Sequence, residues 1–135
     1  MRLKIYTDGA SWGNPGPAAI GVVIKDEQQK YLVRISQYIG QGTNNQAEYQ
    51  AVITALKTAI TFKPTKVSLH LDSELVARQL TGIYKVKSLS LLPLYTEAAR
   101  LSKECANLSI VHVKRAENAE ADALATAALK KFLGR

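Results

Sequence analysis

The order of hydrophobic periodicities constrains this chain most. Three strand-like stretches come first, and only then do strands begin to alternate with helices. "RLKIYTDG" alternates and is rich in Ile, Tyr and Thr, as a strand is. "AAIGVVIKDEQQKYLVRISQYIG" reads as two further strands around a polar turn at Asp26 to Lys30. Three consecutive strands joined this closely make an antiparallel meander.

In "TNNQAEYQAVITALKTAITF" the period changes. Ala47, Ala51, Val52, Ala55, Leu56, Ala59 and Ile60 recur at helical spacing. Thr43 or Asn44 can cap this helix, and Pro64 lies just past its end. "KVSLHLD" (Lys66 to Asp72) is a fourth strand. Ser73 can cap a short helix, "ELVARQLTG", closed by Gly82. After the basic linker "YKVKS", a helical period begins at about Leu89, with Pro93 tolerable in its first turn. "LSIVHV" is the fifth strand, and "AEADALATAALKKFLGR" the last helix, striped by Ala121, Leu124, Ala125, Ala128, Leu129 and Phe132. The order β-β-β-α-β-α-α-β-α forces crossovers and parallel pairing for the later strands. The expected fold is α/β: a mixed five-stranded sheet with helices on both faces.

The 135 residues suit one domain, residues 1–135, and 47% hydrophobic residues are enough for a core. Cys105 is the only cysteine, which excludes an internal disulfide. No stretch is long and apolar enough to span a membrane, and "MRLKIYTDGA" lacks a signal-peptide core. The expectation is a cytoplasmic monomer. Eighteen Lys and Arg against eleven Asp and Glu give a net charge of +7, which favours a polyanionic partner, nucleic acid above all.

Against that basic balance, four acids break the pattern. Asp8 is expected to end the first strand and Asp72 the fourth. If these strands are parallel neighbours, both carboxylates emerge at one edge, about 4.8 Å apart, where open α/β sheets place their sites. Glu48, expected in the first turn of the first long helix, shares the face of Val52 and Ala55. Asp122 lies beside Ala125 and Leu129 at the edge of the last helix's apolar stripe. Acids in a first turn also serve as dipole partners. Four packed carboxylates, however, repel and take up protons unless a cation sits among them. Oxygen-only ligands favour Mg²⁺ or Mn²⁺, and a pair of such ions suits displacement at phosphorus.

The stretches "YTDGASWGNPGPAAIGVV", "TNNQAEYQAV", "LDSELVARQLTG" and "ENAEADALA" occur in the order and spacing of the type 1 ribonuclease H family, which the chain resembles over essentially its whole length. The resemblance implies the ribonuclease H fold, with strand order 3-2-1-4-5 and strand 2 antiparallel. It implies two-metal-ion hydrolysis of the RNA strand of RNA–DNA hybrids, leaving 5′-phosphate and 3′-hydroxyl ends. Asp8, Glu48, Asp72 and Asp122 match the metal-binding acids, with two Mg²⁺ ions per site and Mn²⁺ as substitute. Ser11 and Asn14 look like contacts to RNA 2′-hydroxyls, the group that distinguishes RNA from DNA. Thr43 would meet a DNA phosphate, and Asn44 and Asn45 base edges or sugars; helix capping is compatible with these roles.

Two departures stand out. Many bacterial members carry a glycine-rich loop with a catalytic histidine before the last motif, whereas here "VHVKRAENAEAD" runs straight from strand to acid. His70 and His112 both fall within expected strands and are read as structural; Glu117 or Glu120 can be considered for proton movement. Many members also have a basic helix-and-loop protrusion, for which this chain has only "TGIYKVKSLS". Tyr84, Lys85 and Lys87 there offer a ring and two charges to a nucleic-acid backbone, or form a solvated turn. Two other readings remain open at this point: a hybrid-binding module without catalysis, and a nuclease that also cuts double-stranded RNA.

Overall fold

The computed structural model describes residues 1–134. The strands are β1 (Arg2–Ser11), β2 (Gly16–Asp26), β3 (Tyr31–Gly42), β4 (Lys66–Leu71) and β5 (Leu108–His112). The helices are α1 (Asn44–Ile60), α2 (Glu74–Leu80), α3 (Leu92–Glu104) and α4 (Ala119–Phe132), with a 3₁₀ turn over Arg115–Asn118. The sheet order is β3-β2-β1-β4-β5, with β1–β2 and β2–β3 antiparallel and β1–β4 and β4–β5 parallel. This is the topology expected from the resemblance.

Alternation divides the sheet. Leu3 and Ile5 of β1, Val22 and Ile24 of β2, and Val67, Leu69 and Leu71 of β4 join Tyr49, Val52 and Leu56 of α1, Val76 of α2 and Leu101 of α3 in one large core. On the opposite face, Ala19 packs with Ala128 and Leu129 of α4, flanked by Ala10 and Tyr38.

Several boundaries differ from expectation. β1 does not stop at Asp8. Its parallel ladder with β4 ends at Thr7↔Leu71, but its antiparallel ladder with β2 continues to Ser11↔Ala18. Asp8 is thus the residue at which β1 loses one neighbour and keeps the other. Glu48 is the fifth residue of α1, past the first turn, so a helix-dipole role does not account for it. α3 begins at Leu92, three residues after the expected start, with Pro93 in its first turn. Thr43, not Asn44, caps α1: its Oγ1 accepts from Gln46 N at 3.1 Å while Gln46 Oε1 accepts from Thr43 N at 2.9 Å.

Candidate active site

Two glycines set the site. Asp8 pairs across the ladder with Gly21 of β2. A Cβ on Gly21 would lie 2.0 Å from the carbonyl oxygen of Ala121, so only glycine lets α4 approach the sheet this closely. That approach places Asp122, the next residue of α4, beside Asp8. A Cβ on Gly9 would lie 2.2 Å from the backbone of Ala47, so the next residue of β1 admits α1 in the same way. Glu48 follows Ala47, and its Oε1 accepts from Gly9 N at 2.5 Å. Asp72 is the first residue after β4, where that strand departs toward α2. Four elements therefore deliver four acids to the end of one parallel ladder.

Asp8, Glu48 and Asp72 each offer a carboxylate oxygen, and these oxygens all lie within 4.8 Å of one another. Asp122 completes the group from the α4 side: it lines the same pocket as Asp8 and Asp72, a cleft of about 320 Å³ that also touches Ser11, Trp12, Asn44, Arg115 and Thr126. Burial holds the Asp8 carboxyl well above the ordinary carboxylate range, and Glu48, Asp72 and Asp122 around it push it further. Burial also raises Glu48, against the lowering effect of its contacts with Asp8 and Gly9 N–H. Both shifts say that this much negative charge is not stable alone. An all-oxygen donor set that favours protons in the absence of a cation fits a hard divalent metal.

A second cleft, of about 640 Å³, is lined by Asn14, Thr43, Asn44, Asn45, Lys85 and Lys87 together with Gln79, Ser88 and Ser90. Asn44 lines both clefts. Its junction with the β1–β2 turn is stapled: Asn44 Oδ1 accepts from Ser11 N at 2.9 Å, and Asn14 Oδ1 accepts from Asn44 N at 3.1 Å. Ser11 Oγ is within hydrogen-bond reach of the carbonyls of Gly13 and Gly42. A hydroxyl has one proton to donate, so its lone pairs stay available to an incoming donor. Tyr84 stands apart from its two lysine neighbours; it does not line this cleft, and the Arg78 guanidinium sits 5.6 Å from its ring centre.

Neither histidine lines the acid cleft. His70 stacks on Tyr6 with ring centres 4.5 Å apart, and its Nδ1–H donates to the carbonyl of Ile5 at 3.0 Å. His112 is exposed at the end of β5 and lines a different cleft with Arg78, Thr81 and Ile83. Glu120 is taken up by Lys25 at 3.2 Å and by the Tyr31 hydroxyl at 2.5 Å. Glu117 lines a neighbouring hollow with Tyr6 and Lys25. Neither glutamate lines the acid cleft.

Sequence reasoning missed two residues here. Arg115, first in the 3₁₀ turn, is the cation that lines the acid cleft; its only signal was a basic residue ahead of "AENAEAD". Asn118, 1% exposed, donates from Nδ2 to the carbonyl of Thr7 at 2.8 Å and ties the start of α4 to the residue before Asp8. No local pattern announces a bond between residues 111 positions apart.

Comparison with known proteins agrees with the fold. Residues 6–128 match the family model described as "Reverse transcriptase-like". The chain is 44% identical over 95% of its length to ribonuclease HI of Halobacterium salinarum, of which it spans 64%. It is 39% identical over 96% of its length to the bifunctional protein Rv2228c of Mycobacterium tuberculosis, of which it spans 36%. It thus covers less than two thirds of these relatives. The structure of LC11-RNase H1 in complex with RNA/DNA hybrid superposes with a TM-score of 0.91 at 45% identity, over 97% of this chain and 99% of that one. With the sheet order, the family model and these similarities in agreement, the chain belongs to the type 1 ribonuclease H family.

Proposed function

We propose that this protein is an endonuclease that hydrolyses the RNA strand of RNA–DNA hybrids, leaving 5′-phosphate and 3′-hydroxyl ends. The convergence of Asp8, Glu48 and Asp72 at one ladder end, with Asp122 in the same cleft, carries the reading. In this reading the four acids hold two Mg²⁺ ions, with Mn²⁺ as substitute. When bound, such ions lower the pKa of water and offset charge on the reacting phosphate. Glu48 is oriented for this by Gly9 N–H. Arg115, lining the cleft, adds positive charge beside the phosphate.

Recognition falls to the stapled turn and the second cleft. Ser11 and Asn14 meet 2′-hydroxyls from the minor groove, a contact a DNA strand cannot make. Thr43 meets a DNA phosphate, with Asn44 and Asn45 against sugars or base edges. Lys85 and Lys87 lie along the same cleft and serve the backbone by charge. Tyr84, exposed beside Arg78 and outside that cleft, would add its ring at the cleft's margin. No histidine lines the acid cleft, so neither His70 nor His112 is placed to take a proton there.

The test is cleavage of end-labelled RNA–DNA hybrid, RNA duplex and DNA duplex, each with Mg²⁺ and with EDTA. Mg²⁺-dependent internal cuts in the RNA strand of the hybrid are expected. Hybrid binding without any cut would make the chain a binding module. Equal cutting of the RNA duplex would show that duplex shape, rather than the pairing of RNA with DNA, selects the substrate.

A further inference from the structure

Trp12 is the only tryptophan in the chain and is 39% exposed. Tryptophan is on average well covered, so one left open beside a functional cleft has a claim on a ligand. Trp12 lines the acid cleft together with Asp8, Asp72, Arg115 and Asp122, and it belongs to neither apolar core among the described residues.

The backbone that carries it is fixed on both sides. Trp12 N donates to the carbonyl of Pro17 at 2.9 Å. Ser11 before it is held by Asn44 Oδ1 and reaches the carbonyl of Gly42 at 2.7 Å, and Asn14 after it accepts from Asn44 N. The indole is therefore presented by a braced turn. Trp12 follows Asp8 by four residues, just past the end of β1 at Ser11, and lines the same cleft. At about 3.3 Å per residue the two are at most ~13 Å apart. A duplex that rises ~3.4 Å per base pair covers that distance in about four pairs.

Apart from the small side chains of Ala10 and Thr126, the other side chains on this rim are polar or charged. Asn14 and Asn44 give directional hydrogen bonds, and Arg115 gives attraction that salt weakens. None supplies apolar contact area, whereas an indole supplies much of it at small conformational cost. On the reading of the site given above, we propose that Trp12 is a substrate-positioning residue. Its ring packs against a sugar of the RNA strand within about four base pairs of the cleaved phosphate and holds the hybrid in register over the acids, whatever the sequence.

Because the chain has one tryptophan, its emission reports this side chain alone. The Asp8→Asn chain is titrated in Mg²⁺ with a dye-labelled hybrid of about twenty base pairs, and anisotropy and indole emission are followed together. Emission should change in step with anisotropy. In steady-state cleavage by the otherwise native chain, Trp12→Ala should raise KM about tenfold, with kcat within about twofold and the salt dependence of binding unchanged. Trp12→Phe should restore most of the loss, and thermal melts of both variants should match the native chain. Binding seen by anisotropy with unmoved emission, or an unchanged KM in Trp12→Ala, overturns the assignment. If the hybrid neither binds nor is cut, both the assignment and the functional reading beneath it fall.

Discussion

The two faces of the sheet are packed by different means. Toward α1, large side chains interlock: Leu3, Ile5, Val22, Ile24 and Leu69 against Tyr49, Val52 and Leu56, all 0–1% exposed. Each such side chain contributes about 1.5–3 kcal/mol by leaving water. Toward α4, the contact is made mostly by small residues, Ala19, Ala121, Ala125 and Ala128 with Leu129, and at Gly21 by bare backbone, while Tyr38 stacks on Phe132 near the end of α4. Small residues bury less area but bring backbones nearer. One face therefore supplies most of the stability, and the other fixes where a side chain stands. The acids lie on the seam between them, with Glu48 coming from α1, Asp122 from α4, and Asp8 on the strand that both helices touch.

Removing charge at that seam should separate activity from stability most sharply. Asp8→Asn is expected to lower kcat on hybrid by a thousandfold or more, ~4 kcal/mol of transition-state stabilisation. Its melting temperature should equal or exceed that of the native chain. The reason is the sign of the titration. Burial and neighbouring acids raise the Asp8 carboxyl in the folded state, so the metal-free fold binds protons more tightly than the unfolded chain. Stability in EDTA should then fall as pH rises from the ordinary carboxylate range toward neutrality. Thermal melts in EDTA at pH 5 and pH 8 check this: Asp8→Asn should show a shallower fall than the native chain, and a steeper one would contradict the charge argument.

The second contrast sets one face against the other at adjacent residues. Gly21→Ala drives a methyl into the Ala121 carbonyl, so α4 must shift and carry Asp122 with it. It should cost about 1–3 kcal/mol and reduce kcat by one to two orders of magnitude. Val22→Ala, buried on the α1 side, should cost a similar ~2 kcal/mol while kcat holds. Both are read as kcat well below each variant's melting temperature. Equal kcat losses would mean that the α4 face has no special hold on the site.

The same contrast explains what the sequence disclosed. Strand and helix identity were legible because periods of 2 and 3.6 residues are local. Asp8 and Asp72 were legible as acids at the ends of apolar runs, and Glu48 as an acid on an apolar helical face. Gly21 was not, because a glycine inside "AAIGVVI" looks like any small residue until a helix 100 positions later is laid against it. The continuation of β1 past Asp8 was hidden for a related reason. Its polar and glycine-rich residues read as turn, yet pairing with β2 holds them as strand to Ser11↔Ala18. Asn118 escaped because its partner is a carbonyl on the first strand, and Arg115 because nothing local distinguishes a cation at a cleft from one in solvent.

A smaller effect is expected where the surface is fully open. Lys85 and Lys87 are exposed and line the second cleft. Replacing both with alanine should leave kcat at saturating hybrid intact and lower the slope of log affinity against log salt by about one to two units. An unchanged slope would return these lysines to solvent and confine recognition to the stapled turn.

The smallest effects should come from the histidines, which test for chemistry beyond the acids. His70 lies next to Tyr6, and two contacts hold it: the stacked ring and the carbonyl of Ile5. Losing both in His70→Ala should cost about 1–2 kcal/mol, because the Ile5 carbonyl gives up its side-chain donor. His112 has no such ties. It is exposed at the end of β5, so His112→Ala should stay within about 0.5 kcal/mol of the native chain. The sequence alone grouped the two as structural; exposure now separates them. Neither lines the acid cleft, so neither should change the pH dependence of kcat on hybrid in Mg²⁺. That profile is the decisive measurement, since a histidine acting on protons would remove a limb near pH 6–7 when replaced. If His112→Ala deletes such a limb while the melting temperature holds, the end of β5 reaches the substrate, and the boundary of the site must be moved across the sheet to include it.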